Sequence, residues 1–306
     1  MDSPNVDAFC SSMAWALSAH EAFHPEQELF AYQSASGYLV LARGEAPGMG
    51  RYLSPLEAMW GLASPLLGTS PMTLGAEAAE LLLSIREEWD GLWLCGLEAH
   101  SHAFVSLAMG LGEHLDLYMG PTTRRHVASL HGGVDGFLSR RSSRFRKNLR
   151  RAERRAQEEG ITFRWHTNTD DDDSRQAMYR RALAVDDRSW KGRAGQGLNA
   201  SNMARFYDRM TMRLGREQRL RFVFAERDGQ TLAMGFGGSL GAVFRGLQMS
   251  YDDDFRQLSL GNLIQWSMIQ NLVGEGVEHY DLGTDIGYKA RWGEPGLETV
   301  SLVVRA

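Results

Sequence analysis

Apolar positions along the chain change their period several times, and each change marks an element. Residues 1–24 carry short apolar clusters that predict a helix. Leu29-Phe30-Ala31-Tyr32 and Tyr38-Leu39-Val40-Leu41 flank Ser34-Ala35-Ser36-Gly37, the signature of a hairpin. Gly44 to Pro71 is rich in Gly and Pro and reads as loop with short strands. Ala76, Ala79, Leu82, Leu83 and Arg86 recur at helical spacing, so an amphipathic helix is predicted over 75–89. A strand over 91–97, a helix over 101–111 and a strand over 114–119 follow.

The middle of the chain has a single amphipathic pattern. Phe145, Leu149, Ala152 and Ala156 predict a helix within 135–160, with Gly160 as its C-cap. Beyond it come a strand at 161–166, a polar loop from Thr169 to Asp173, and helices at 174–187 and 201–217. Strands at 220–226, 231–239 and 243–251 form a meander whose first turn is Asp228-Gly229. A polar loop from Asp252 to Ser259 leads into a helix at 260–274, then strands at 277–282 and 299–304. No sequence repeat is present, but the two halves share an order of elements. The predicted organisation is an N-terminal half (1–134), a basic connecting helix (135–160) and a C-terminal half (161–306).

Composition narrows the class. The 306 residues are 43% hydrophobic and 23% charged, which excludes a collagen-like or wholly disordered chain. Two cysteines, Cys10 and Cys95, make no disulfide framework, and Cys95 sits in an apolar strand where packing explains it. No apolar run approaches roughly 18 residues, so no membrane span is expected. Met1 to Asn5 lacks the basic region of a signal peptide, and a cytoplasmic location is expected.

Charge adds a local feature. Net charge is −5, yet residues 140–155 hold nine basic residues and one acidic residue. A globally basic nucleic-acid binder is disfavoured. The Arg-rich helix reads either as a solvated face or as an attractor for a polyanion. Of 33 basic residues only three are lysines: Lys147, Lys191 and Lys289. A lysine kept against such a bias suits a role that needs a compact amine with an adjustable pKa.

Four segments carry candidate chemistry. Arg256-Gln257-Leu258-Ser259-Leu260-Gly261-Asn262 precedes a helix, whose N-terminus favours a phosphate. There Ser259 can cap, Gly261 clears space and Arg256 can pair with the anion; an ordinary capped loop is the alternative. Asp281 to Gly293 gathers Asp281, Asp285, Tyr288, Lys289 and Arg291 behind a strand end, the parts for proton transfer and oxyanion stabilisation, or else a structural ion-pair network. Trp190-Lys191-Gly192 suggests a substrate-facing loop, with a packed Trp as the alternative. The basic helix is the fourth. His100-Ser101-His102 lacks partners at metal spacing, so no metal site is expected in the protein, and neither a Walker A sequence nor a nucleophile elbow occurs.

Taken together, these residues resemble the GNAT acyltransferase superfamily, and more narrowly its CelD-like and FemAB-like branch. The motifs that carry the likeness are Arg146-Lys147-Asn148-Leu149-Arg150-Arg151, Ser189-Trp190-Lys191-Gly192, and Asp281-Leu282-Gly283 through Tyr288-Lys289-Ala290-Arg291-Trp292-Gly293. All three lysines lie inside them. The resemblance covers about residues 135–295 and implies an α/β fold with mixed sheets, in two GNAT-like halves of which the first is expected to be non-catalytic. It implies direct acyl transfer from acyl-CoA, acetyl-CoA or longer, to a primary amine. Arg256, Ser259, Leu260, Gly261 and Asn262 would hold the pyrophosphate, and Trp190, Lys191, Tyr251 and Arg291 would face the substrate. Asp281 or Asp285 would take the amine's proton, backbone N–H groups of strand 243–251 and Lys289 would polarise the carbonyl, and Tyr288 would protonate the thiolate. The alternatives are an aminoacyl-tRNA-dependent peptidyltransferase and a non-catalytic module binding RNA or an acidic partner.

Overall fold

A computed structural model describes residues 5–167 and 171–305. The expectations for Met1 to Pro4 and for Thr169 and Asp170 fall outside the described residues. The chain forms two compact units: the residues up to Arg124 together with those from Leu297 onward, and residues 125–296.

The first unit begins with α1 (Met13–Phe23), β1 (Glu28–Gln33), β2 (Tyr38–Ala46), β3 (Gly50–Ser54) and the two-residue β4 (Leu66–Leu67). It continues through α2 (Pro71–Ser84), β5 (Gly91–Glu98), α3 (His102–Gly112) and β6 (Leu117–Met119). The helix expected over 1–24 is thus confined to its last half, and the one expected over 75–89 starts at Pro71, whose ring suits a first turn. Helices α2 and α3 pack closely because Gly75 and Gly110 face each other's helix: a Cβ on Gly110 would lie 2.7 Å from Ala79 Cβ. Cys10 and Cys95 are both buried, with no disulfide between them.

The second unit comprises β7 (Arg125–Ser129), α4 (Gly133–Ser139), α5 (Ser143–Glu158), β8 (Thr162–Thr167), α6 (Asp172–Arg188), α7 (Trp190–Arg193) and α8 (Met203–Arg216). The meander β9 (Leu220–Arg227), β10 (Gln230–Leu240) and β11 (Val243–Tyr251) follows, then α9 (Leu260–Gly274), β12 (His279–Thr284) and β13 (Glu294–Pro295). The last strand, β14 (Thr299–Arg305), pairs with β5 and β6 in the first unit's sheet.

Both sheets are mixed. The first runs β1-β2-β3-β5-β14-β6, with β4 against β2; the second runs β13-β7-β12-β11-β10-β9-β8. Each contains an antiparallel meander, a helix and a strand parallel to the meander's last member: β3 with β5, β11 with β12. This is the two-unit mixed α/β architecture that the resemblance implied. The unit boundaries fall at 124/125 and 296/297, where the sequence suggested 134/135 and 160/161. The reason is strand placement: β7 precedes the basic helix yet pairs with β12, while β14 closes the other sheet.

The Arg-rich segment lies between the halves in sequence and is packed within the second unit. It is two helices, because Ser142 starts a new one by accepting the Phe145 N–H (3.2 Å). Leu149 and Ala156 enter the core of the unit alongside Phe137, Ile264 and Trp292. Phe145 meets Trp292 edge-on at 4.8 Å, and Phe137 stacks on Trp292 at 6.2 Å. Glu153, the one acidic residue in the basic stretch, accepts a bond from Trp266 Nε1 (2.6 Å) on α9. These contacts fix the basic face of α5 beside the start of α9.

Candidate functional site

Strands β11 and β12 pair only from Val243–His279 to Arg245–Asp281. β11 continues to Tyr251 against β10 alone, so its other edge is left without a strand over its second half. Between Phe236 and Gly237 the register with β10 slips from Gln248 to Gly246, making Leu247 the extra residue of a bulge. Tyr207 donates to the Leu247 carbonyl at 3.1 Å. The bulge lies just past the last β11–β12 pair, on the strand whose N–H groups are expected to polarise a carbonyl.

At the point of divergence the predicted chemistry is gathered. Arg245, buried, donates to Asp281 Oδ2 at 2.6 Å, and Arg125 stands 3.8 Å from the same oxygen. Asp281 Oδ1 accepts the Gly283 N–H at 2.7 Å. Both oxygens are engaged, which makes Asp281 an anchor for two guanidinium groups and leaves Asp285 as the accessible carboxylate. Asp285 Oδ1 lies 3.0 Å from Nε2 of His126, a residue the sequence reading passed over because β7 itself was missed. His126 Nδ1 is buried and has no hydrogen-bond partner among the described residues.

Lys289 is 8% exposed, and its Nζ donates to the Thr284 carbonyl at 2.8 Å. Burial, then the nearby Arg245 charge, pull its pKa down to about 8. Gly283 makes this crowding tolerable: its φ is +87°, and a Cβ there would come within 3.2 Å of Lys289 Nζ and 3.3 Å of Arg245 Nη2. Burial raises the Tyr288 pKa above that of an ordinary phenol.

A groove of about 990 Å³ runs between α5 and the N-terminus of α9. Arg140, Arg141, Arg144, Arg151 and Arg155 line one side, and Ser259, Asn262 and Arg291 the other. Arg141 pairs with Glu294, and Arg155 donates to the Gln257 carbonyl at 3.2 Å. Arg144, Arg151 and Arg291 have no partner among the described residues and are exposed.

The predicted phosphate residues divide. Ser259 and Asn262 face the groove, and Leu260 and Gly261 are buried in the first turn of α9, where they offer backbone N–H groups. Arg256 points away, 3.7 Å from Asp253. Ser259 occupies the cap position without using its hydroxyl as a cap, because its backbone is left-handed (φ +56°, ψ 33°). Gly261 lies beside Tyr251, where a Cβ would make ordinary contact with the ring at 3.4 Å.

Trp190 is 55% exposed, so it is no core anchor. Lys191 Nζ lies 3.4 Å from Gln248 Oε1, beside the bulge, and 3.4 Å from Asp186 Oδ1. Asp186 is fully buried and also accepts from the Leu198 N–H (2.6 Å) and the Ser250 hydroxyl. The sequence reading missed it, since Asp186-Asp187 looks like a solvated helix end. β11 therefore passes three of the predicted groups in turn: Asp281 at Arg245, Lys191 at Gln248, and Gly261 at Tyr251.

Residues 143–290 match the model of the acetyltransferase (GNAT) domain. No curated protein matches the chain in sequence. Among solved structures, FemX superposes with a TM-score of 0.63 at 12% identity, covering 98% of this chain and 93% of its own. L-PGS from Bacillus licheniformis gives 0.60 at 12% identity, covering 100% and 92%. A conserved protein of unknown function from Bacteroides thetaiotaomicron gives 0.62 at 11% identity, covering 100% and 94%. At such identities the likeness to these structures is one of fold.

Proposed function

We propose that this chain, whose residues 143–290 match the acetyltransferase (GNAT) domain, is an acyltransferase that moves an acyl group from acyl-CoA directly to a primary amine. The observation that carries this reading is the groove, which joins an unpaired arginine surface to a helix N-terminus beside the open edge of β11. A pyrophosphate fits that combination: Arg144, Arg151 and Arg291 supply charge, and the first N–H groups of α9 supply directed donors. Leu247 lies four residues before Tyr251, roughly 13 Å along an extended strand. A donor therefore needs a long, thin arm between its phosphates and its reactive carbonyl, as a pantetheine thioester has.

The reaction follows from the groups at the divergence. The amine nitrogen attacks the thioester carbonyl carbon, forming a C–N bond as the C–S bond breaks. Asp285, hydrogen-bonded to His126, takes the amine's proton. Lys289, protonated below its pKa of about 8, and N–H groups on β11 stabilise the oxyanion. Tyr288, a phenol protonated at neutral pH, supplies the proton that the leaving thiolate takes up. Trp190, Lys191 and Tyr251 would border the acceptor, an amino sugar, an amino acid or a peptide side chain.

One observation favours a second reading. Lys147, Arg150 and Arg154 continue the basic face of α5 outside the groove, exposed and without partners among the described residues. That larger surface suits an aminoacyl-tRNA donor, as in FemAB-like peptidyltransferases. A thermal-shift titration with CoA, acetyl-CoA and long-chain acyl-CoAs separates the two. The CoA reading predicts stabilisation of roughly 2.7 kcal/mol at 100 times the dissociation constant. No shift with any CoA, together with transferase activity abolished by ribonuclease, would transfer the assignment to tRNA.

A further inference from the structure

We propose that His131, Glu278 and His279 form a binding site for a divalent transition-metal ion of the zinc class. The three side chains come from two places in the second unit. His131 sits in the turn between β7 and α4, Glu278 directly precedes β12, and His279 opens it. One ligand atom from each lies within 4.8 Å of the other two. The imidazoles meet edge to face, 5.0 Å apart at 85°.

The backbone holds all three in place. Leu130 N–H donates to the Glu278 carbonyl (2.7 Å), and the Glu278 and His279 N–H groups both donate to the Ala242 carbonyl (2.9 and 3.1 Å). Arg140 spans the turn, donating to the Ser129 and His131 carbonyls at 2.7 and 3.1 Å. The side chains, by contrast, are uncommitted: none of the three makes a hydrogen bond or ion pair with another described residue. Two imidazoles and a carboxylate are a donor set for zinc, at about 2.0–2.2 Å from the ion with a solvent molecule as fourth ligand. Tetrahedral donors stand about 3.3 Å apart at those bond lengths. Closing from 4.8 Å takes only side-chain rotation, since His131 and Glu278 are exposed. Magnesium and calcium, which select oxygen ligands, are excluded by the two imidazoles.

The site is remote from the acyl-transfer groups. His279 begins β12 and Thr284 ends it, roughly 16 Å further along the strand. The ion's role is therefore a clip, fastening the turn that leads into α4 and α5 to the sheet. Residue spacing alone does not reveal it, because His131 lies almost 150 residues from Glu278 and His279 and shares no spacing motif with them.

The test uses the untagged full-length protein, stripped with a chelator and titrated with Zn²⁺, Co²⁺ and Mg²⁺. Zn²⁺ and Co²⁺ should each raise the Tm saturably, Co²⁺ with the visible absorption of a tetrahedral centre, while Mg²⁺ does nothing. H131A and H279A should each weaken Zn²⁺ binding at least tenfold by calorimetry, and the milder Glu278→Gln should weaken it while leaving the metal-free Tm unchanged. Absence of a Zn²⁺ response, or an equal response in the H131A/H279A double variant, would overturn the assignment.

Discussion

Replacing Lys289 with Met should make the protein more stable and nearly inactive. The substitution keeps the length of the side chain and removes a buried ammonium. Folding lowers the Lys289 pKa from 10.5 to about 8, a difference worth about 3 kcal/mol against the folded state when the lysine is charged in both states. The unfolded chain binds more protons than the folded one between those values, so this penalty is complete below pH 8 and disappears as pH rises to 10.5. K289M is free of it at pH 7. It also loses the bond to the Thr284 carbonyl, worth about 1 kcal/mol. The net gain is about 2 kcal/mol at pH 7, or roughly 5 °C in Tm for a unit of this size. The difference between variant and wild type should fall toward the lost hydrogen bond alone near pH 10.5. Turnover should drop by about 10²–10³, the loss typical of one oxyanion donor. Scanning calorimetry of both proteins from pH 7 to 10.5, with a coupled thiol-release assay, measures each effect. A variant less stable than wild type at pH 7, or one with unchanged turnover, refutes the reasoning.

Three further outcomes follow from the geometry. Ser259→Gly relieves a left-handed backbone and should stabilise by up to about 1 kcal/mol, whereas Ser259→Val should destabilise by about 1–2 kcal/mol, read from urea unfolding. Asp186→Asn strips charge from a fully buried acceptor of Leu198, Ser250 and Lys191, and should cost about 2–4 kcal/mol in the same measurement. Wild-type turnover should decline as pH rises above about 8, because Lys289 loses the proton that stabilises the oxyanion; a rise through that range would assign Lys289 as a base instead.

What the sequence made legible follows the strength of each period. The hairpin at β1–β2, the meander β9–β11 and helix α9 have uncompromised patterns, and each lies within a few residues of its expected place. β7 was not visible because its buried positions include Arg125, 3% exposed, whose guanidinium serves Asp281. Without β7 neither His126 nor the true extent of the second unit can be read. The break at Ser142 was hidden because Phe145, Leu149, Ala152 and Ala156 keep one helical face on either reading. The lysine argument led to Lys191 and Lys289, which both stand beside buried carboxylates of the site. Asp186, beside Lys191, and Arg245, which pairs with Asp281, escaped notice for one physical reason: both are polar residues whose burial only tertiary pairing permits. Arg256 shows the converse, a plausible phosphate ligand in sequence that turns toward Asp253 in space.

The central claim is that a phosphate-bearing donor lies in the groove between α5 and α9. Calorimetric titration of CoA into wild type and into the double variant Arg144→Glu, Arg151→Glu tests it most directly, because both side chains line the groove and are exposed without partners among the described residues. The account predicts binding weakened at least tenfold at about 50 mM salt, a smaller gap at high salt, and an unchanged Tm for the free protein. CoA binding equally tight in both proteins would contradict it.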